Sequence, residues 1–281
     1  MNIVSTIREV RACVKAWRTE GLTVGFVPTM GFLHEGHQSL IERAARENDR
    51  VVVSIFINPL QFGKNEDLER YPTDPERDYA VCAKAGADLI FQPEVTEMYD
   101  EGFCTYVDMS GLTDTLCGKS RPGHFRGVCT VVMKLFNIVK PDKAYFGQKD
   151  AQQLAVLRRM VRDLNMDLEI VPCETVREED GLARSSRNVY LNREERAAAL
   201  VLPEALRFAE EMIRAGVRTS SEIEKTIKDG IASEPLARLE YAEVVDLETL
   251  RPVDKIEAPV LVAAAVCIGK TRLIDNFTYN S

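Results

Sequence analysis

Two of the chain's three histidines stand three residues apart in His34-Glu35-Gly36-His37. The tetrapeptide follows an apolar run at 22–27 and the turn Pro28-Thr29-Met30-Gly31, and it precedes a helical pattern at 39–45. A strand, a glycine-bearing turn and a helix start suit a phosphate, because the first helical N–H groups lack intrahelical partners and the dipole favours an anion. Two imidazoles at that end add donors that can follow the charge on a phosphoryl group as it reacts. Alone, the pattern also fits a chance pair of packed histidines. The strand–turn–helix context favours phosphate chemistry.

Other clusters bear on the same chemistry. Gly147-Gln148-Lys149-Asp150 falls where a predicted strand ends and a helix begins, the place where open α/β sheets bind ligands. It reads either as a helix cap at Asp150 with a solvated Lys149, or as a nucleotide site. In the second case Lys149 supplies phosphate charge and Gly147 lets the backbone approach closely. Arg184-Ser185-Ser186-Arg187-Asn188 is either a polar interdomain loop or a polyphosphate loop, since guanidiniums form forked bonds to phosphate. Asn58-Pro59-Leu60-Gln61-Phe62-Gly63 and Gln153 place uncharged amides at strand and helix ends, where they can orient hydroxyls and a carboxylate. His124, in the basic loop Ser120-Arg121-Pro122-Gly123-His124-Phe125-Arg126-Gly127, reads equally as structural or functional. There is no serine elbow, Cys/His pair or paired-carboxylate layout. An enzyme that activates a carboxylate needs none, because the substrate's own oxygen attacks the α-phosphorus of ATP.

Alternating strands and helices must position these groups. Predicted strands lie at 22–27, 51–57, 88–91, 143–147 and 168–172. Predicted helices lie at 74–87, with Asp74 as cap and Pro75 first, and at 127–139 and 150–165. This alternation predicts an α/β fold with a parallel sheet covered on both faces. After about residue 175 the texture changes to helices at 194–215 and 221–232 and strands at 239–245, 260–268 and 272–277. A smaller α/β domain is expected there.

The chain has 281 residues, 45% hydrophobic and 28% charged, ordinary for a globular protein, with net charge −8. That charge disfavours non-specific binding to nucleic acid or an anionic membrane. No apolar run approaches the ~18–20 residues of a membrane span. Residues 1–8 lack a leader layout, so secretion is not expected. The seven cysteines are scattered, with no CxxC pair and no zinc-finger spacing. They predict neither a disulfide framework nor structural zinc, and a reducing cytoplasm fits them best.

Several long segments, in register, closely resemble the pantoate–β-alanine ligase (pantothenate synthetase) family of the HxGH nucleotidylyltransferase superfamily. They are Val27-Pro28-Thr29-Met30-Gly31-Phe32-Leu33-His34-Glu35-Gly36-His37, Ser54-Ile55-Phe56-Ile57-Asn58-Pro59-Leu60-Gln61-Phe62 and Tyr71-Pro72. Further along come Arg121-Pro122-Gly123-His124-Phe125-Arg126-Gly127, Asp142-Lys143-Ala144-Tyr145-Phe146-Gly147-Gln148-Lys149-Asp150 and Asp180-Gly181-Leu182-Ala183-Arg184-Ser185-Ser186-Arg187-Asn188. The C-terminal third is less distinctive.

The resemblance implies a Rossmann-like doubly wound parallel sheet over 1–175, binding nucleotide and pantoate, and a smaller C-terminal α/β lid domain over 176–281. It implies that (R)-pantoate and Mg²⁺-ATP give pantoyl adenylate and pyrophosphate, after which β-alanine displaces AMP to form pantothenate, on the route to coenzyme A. Catalytic roles fall to His34, His37 and Lys149. ATP contacts fall to Met30, Gly31, Phe32, Leu33, His34, Glu35, Gly36, His37, Gly147, Gln148, Lys149, Asp150, Val176, Arg184, Ser185, Ser186 and Arg187. Gln61 and Gln153 hold pantoate, and Gln61 also borders β-alanine. The family further implies a homodimer acting on small-molecule substrates; the cysteines, charge and hydropathy lead us to expect a cytoplasmic protein with no nucleic-acid or membrane partner. No Mg²⁺ ligand set is legible; Asp78 and Asp150 are weak candidates. The family's pattern has Met at Arg184 and Glu at Gln148. Two rivals share some of these residues: an HxGH enzyme making a dinucleotide or CDP product, and a nucleotide-binding regulator or tRNA-binding synthetase relic without pantoate chemistry.

Overall fold

The computed structural model describes residues 1–64 and 66–280. They fall into two compact units, 1–109 with 121–148 and 153–174, and 110–120 with 149–152 and 175–281.

The first unit is built on six strands: β1 (Asn2–Val4), β2 (Val24–Thr29), β3 (Arg50–Ile55), β4 (Leu89–Phe91), β5 (Lys143–Gly147) and β6 (Glu169–Cys173). All are parallel, in the order β1-β4-β3-β2-β5-β6. From β4 to β6 this is the Rossmann order, which reverses between β2 and β5, so the ligand crevice is expected at the C-terminal ends of those two strands. Helices cover both faces. On one, α2 (Glu35–Glu47) and α3 (Pro75–Ala85) pack Leu40, Ile41 and Cys82 onto Val27, Val53, Ile90 and Tyr145. On the other, Phe136 of α6 (His124–Val139) meets Phe26 and Phe146 edge-on, with α1 (Ile7–Thr19) alongside α6.

Pro28 and Thr29, expected in a turn, instead complete β2 opposite Ser54 and Ile55. The β2–β5 ladder runs only through Gly25↔Lys143 and Phe26↔Ala144. Backbone groups at even positions of β2 face β5, as the bond from Asp142 N to Val24 O shows. Pro28 therefore points its missing N–H at the side where pairing has already ended. Beyond that point β2 and β5 continue without a ladder between them.

The second unit has a three-stranded antiparallel sheet, β7 (Ala237–Asp246), β8 (Val260–Ile268) and β9 (Thr271–Tyr279), in the order β7-β8-β9. The alternate residues Val260, Val262, Ala264, Val266 and Ile268 pack with α9 (Val201–Arg214) and α10 (Ser220–Ala232). The continuous helix expected over 194–215 is two helices, α8 (Arg193–Ala198) and α9. Pro203 is the reason. It lacks the N–H for a bond to Ala199 and its ring would meet that carbonyl. The break leaves it in the first turn of α9, where no N–H is needed.

The expected domains 1–175 and 176–281 are continuous, whereas the compact units are interleaved. Gln152 shows why 149–152 and 110–120 group together. Its buried amide donates to Leu112 O and Thr115 O, each at 2.9 Å, and accepts from Gly118 N at 3.3 Å.

Helix α6 begins at His124, three residues before its expected start at Gly127. A Cβ on Gly127 would lie 2.6 Å from Gln61 Cα and closer still to Leu60 O. Helix propensity alone favours alanine in a helix interior by up to ~1 kcal/mol. The clash outweighs it, so Gly127→Ala should destabilise the protein by about 1–3 kcal/mol in urea unfolding.

Candidate active site

The His34–His37 pair sits at the C-terminal end of β2, on one side of the switch point. Gly31 and Phe32 both take left-handed conformations, with φ of +85° and +51°. Asp78, on α3 and only 2% exposed, fixes this turn. One carboxylate oxygen accepts from Phe32 N at 2.9 Å and the other from Leu33 N at 2.6 Å. Burial raises the Asp78 carboxyl above its ordinary value, and the two N–H bonds pull the other way. Both oxygens serve the backbone, so Asp78 is a turn anchor.

Helix α2 begins at Glu35, with His34 as its N-cap. Both imidazoles take part in the cap. His34 Nδ1 accepts from Gly36 N at 3.1 Å, and His37 Nδ1 accepts from His34 N at 3.3 Å. The arrangement is a capping box made of histidines. An Nδ1 that accepts cannot also carry the proton, so each neutral ring is held as the Nε2–H tautomer. The ring centroids are 4.1 Å apart. The chain thus sets two Nε2–H donors beside a helix N-terminus, where an anion is favoured. Gly147 ends β5, on the other side of the switch point, and Gln148 opens the turn that follows.

The amide group is more tightly built than the sequence implies. Asn58, 1% exposed, donates to Gln61 Oε1 and Gly127 O, both at 3.1 Å. Its Oδ1 accepts from Tyr99 Oη at 2.8 Å and Leu60 N at 3.3 Å. Burial pushes the Tyr99 hydroxyl well up, so it stays a donor. With its oxygen held by Asn58, Gln61 turns Nε2 toward Met30 Sδ at 3.1 Å. Thioether sulfur is a weak acceptor, and a carboxylate or hydroxyl oxygen would displace it readily. Gln153 is the third residue of α7 (Ala151–Asp163) and is not part of this hydrogen-bonded group.

His124 belongs to the scaffold. Arg121 donates to its Nε2 at 3.1 Å, which places the proton on Nδ1, and Nδ1–H donates to Gln61 O at 2.9 Å. Arg121 also grips Glu66 through two bonds of 2.7 and 2.5 Å.

In the second unit, Val176 and Arg184 are joined directly, since Arg184 N donates to Val176 O at 2.9 Å. The hairpin between them turns at Gly181, with φ +94°. Within it Glu178 accepts from Asn188 at 3.0 Å and Arg196 at 2.6 Å, with the Arg184 guanidinium at 3.6 Å. Burial lifts the Glu178 carboxyl, but the bonds from Arg196 and Asn188 outweigh it and hold the group below its usual range. An arginine at 184 is thereby accommodated, and its backbone bond does not depend on side-chain type. Ser185 caps the short turn Ser186–Tyr190 by accepting from Arg187 N at 3.3 Å, and Ser186 is buried. Lys149 lies in the single turn Gln148–Asp150, with Nζ 3.9 Å from the Asp150 carboxylate. Among the described residues, no group of three His, Cys, Asp or Glu side chains is arranged to hold a metal ion.

A Rossmann-ordered sheet with a histidine-capped helix at its switch point defines an HxGH nucleotidylyltransferase-type α/β protein. The family model described as pantoate-beta-alanine ligase matches residues 2–278. A pantothenate synthetase of Ruminiclostridium cellulolyticum is 61% identical over 99% of both chains, and one of Clostridium acetobutylicum is 59% identical over the whole of both. The crystal structure of pantothenate synthetase from Thermus thermophilus superposes with a TM-score of 0.93 at 50% identity, over 99% of each chain. A pantoate-beta-alanine ligase from Francisella tularensis, solved with beta-gamma ATP and beta-alanine, gives 0.81 at 35% identity over 99% of this chain and 97% of that one. The chain belongs to the pantoate-beta-alanine ligase family.

The Glu66–Arg121 pair supports the Gln61 turn and gives it a pH dependence. Burial raises the Glu66 carboxyl, but the Arg121 bonds and charge prevail and lower it. A depressed folded-state value stabilises the protein above the unfolded carboxyl value of ~4.3. That contribution is lost as pH falls through the folded value. Glu66→Gln should lower urea stability by about 1–2 kcal/mol near neutrality. The deficit should shrink toward zero when the same titration is run in acid.

Proposed function

We propose that this chain is an AMP-forming ligase that condenses (R)-pantoate with β-alanine to make pantothenate, a step toward coenzyme A. The observation that carries the reading is the family match along nearly the whole chain, which includes an intact histidine-capped helix start at the sheet's switch point.

The chemistry follows from these groups. A pantoate carboxylate oxygen attacks the α-phosphorus of ATP. The bond to the bridging oxygen of pyrophosphate breaks, and that oxygen leaves with the electron pair. The Nε2–H donors of His34 and His37 meet negative charge that grows on the phosphates, as do Lys149, Ser185, Ser186 and Arg187. One such donor is typically worth ~3–4 kcal/mol of barrier. Residues 30–37, with Gly147, Gln148, Asp150, Val176 and Arg184, complete the ATP contacts. Gln61 and Gln153 hold pantoate. In the second step the neutral amine of β-alanine, beside Gln61, attacks the acyl carbon of pantoyl adenylate, AMP departs and the amine loses a proton.

In our reading Mg²⁺ enters as a companion of the triphosphate, whose oxygens are hard ligands for it. Bound there it would neutralise phosphate charge. In our reading residues 1–175 bind nucleotide and pantoate, 176–281 act as a lid that protects the mixed anhydride from water, and the enzyme works as a cytoplasmic homodimer. No helix among the described residues is long and apolar enough to cross a membrane.

Incubation with ATP, Mg²⁺, pantoate and β-alanine should yield pantothenate, AMP and pyrophosphate in equal amounts. Pyrophosphate release with nicotinamide mononucleotide in place of pantoate would favour the dinucleotide-forming rival. His37→Ala should slow pantoate-dependent ATP–pyrophosphate exchange by about 10²–10³. It should leave the fold intact, losing only a cap worth ~1 kcal/mol. Gln61→Ala should weaken pantoate binding in calorimetry while ATP binding is kept.

A further inference from the structure

Two consecutive residues of β9, Asp275 and Asn276, touch segments far away in sequence that carry the proposed nucleotide contacts. Successive strand residues point to opposite faces of a sheet. On one face Asp275, 3% exposed, takes both arms of Arg177, at 2.6 and 3.0 Å. Arg177 follows Val176 directly and also donates to Gly181 O at 3.0 Å, across the hairpin that ends at Arg184. On the other face Asn276 Nδ2 donates to the main-chain oxygen of Lys149 at 2.8 Å. Asp275 Oδ1 also accepts from Asn276 N at 2.8 Å, which links the two grips. The same strand packs against the Ser186–Tyr190 turn. One strand therefore backs the lysine, the hairpin and the twin serines, all within the second unit.

We propose that Asp275 and Asn276 are positioning residues for nucleotidyl transfer: together they hold Lys149 and the 176–187 segment in one fixed arrangement, so that cation and hydroxyls reach a triphosphate as a set. The proposal rests on the ligase reading above. Neither side chain needs to touch substrate. Their effect is on where the Lys149 ammonium sits, and misplacing a charge by an ångström can cost orders of magnitude in rate. The second half-reaction makes no demand on departing pyrophosphate, so the two steps should respond differently.

The test compares the wild-type chain with Asn276→Ala and the near-isosteric Asn276→Asp, which puts an acceptor where Lys149 O needs a donor. Pantoate-dependent ATP–pyrophosphate exchange should fall about tenfold or more in both variants. Aminolysis of supplied pantoyl adenylate by β-alanine, at saturating adenylate, should stay within about twofold of wild type, because pyrophosphate has already left. Unfolding midpoints are read alongside. If the alanine variant is destabilised, the isosteric variant decides. Unchanged exchange, or equal losses in both half-reactions, overturns the positioning role. A wild-type protein with no exchange at all overturns the ligase reading instead.

Discussion

A buried carboxylate governs the local geometry on which the histidine site depends. Two successive left-handed residues, one of them Phe32, are an unfavourable way to leave a strand, and the non-glycine residue alone carries roughly 1–2 kcal/mol of strain. Asp78 makes the path stable by taking the N–H groups that the turn exposes. Burial makes ionising this carboxyl unfavourable, so at neutral pH it subtracts from stability what the two bonds partly return. Because the turn is held, α2 starts at Glu35 and not a residue earlier or later. That register makes His34 the cap and His37 its reciprocal partner, and so fixes which ring nitrogen bears the proton on each.

The sheet supplies the other half of the geometry. Its order reverses between β2 and β5, and Pro28 stands where their ladder has ended. A proline in a central strand would ordinarily cost the ladder one hydrogen bond. Here it breaks none, because its N side faces β5 beyond the end of that ladder, while β2 goes on pairing with β3 to Thr29 and Ile55. The Gln61 turn is fixed by packing rather than by pairing. Gly127 lets α6 approach to contact distance, and Asn58 spends every donor and acceptor on its neighbours.

Much of this is legible in the amino-acid order. Rare residues at a telling spacing mark the histidine site. Apolar runs set β5 and β8 to the residue, because each is bounded by residues that do not continue a strand. Asp74 and Pro75 announce the start of α3. The split of α8 from α9 has a signal too, in Pro203, but the apolar period around it masks the break. What stays hidden depends on distance along the chain. Asp78 reaches back more than forty residues to the turn it holds. His124 looks equally suited to chemistry, and only its bonds to Arg121 and Gln61 O show that it supports the Gln61 turn. The β1 strand, three residues long, is too brief to register as a pattern. Nor can periodicity say that the last three strands are antiparallel.

The interleaving of the two units bears on how the protein is made. Cys117 finds Tyr241 and Arg272 at 3.2 and 3.3 Å, and these partners lie 124 and 155 residues further along. During vectorial synthesis the segments 110–120 and 149–152 leave the ribosome long before β7 and β9 exist to receive them. At about 5–20 residues per second the wait is on the order of ten seconds. The nascent chain must therefore carry Cys117 and the Lys149 main chain through that interval without their final partners, until β7 brings Tyr241 and β9 brings Arg272 and Asn276.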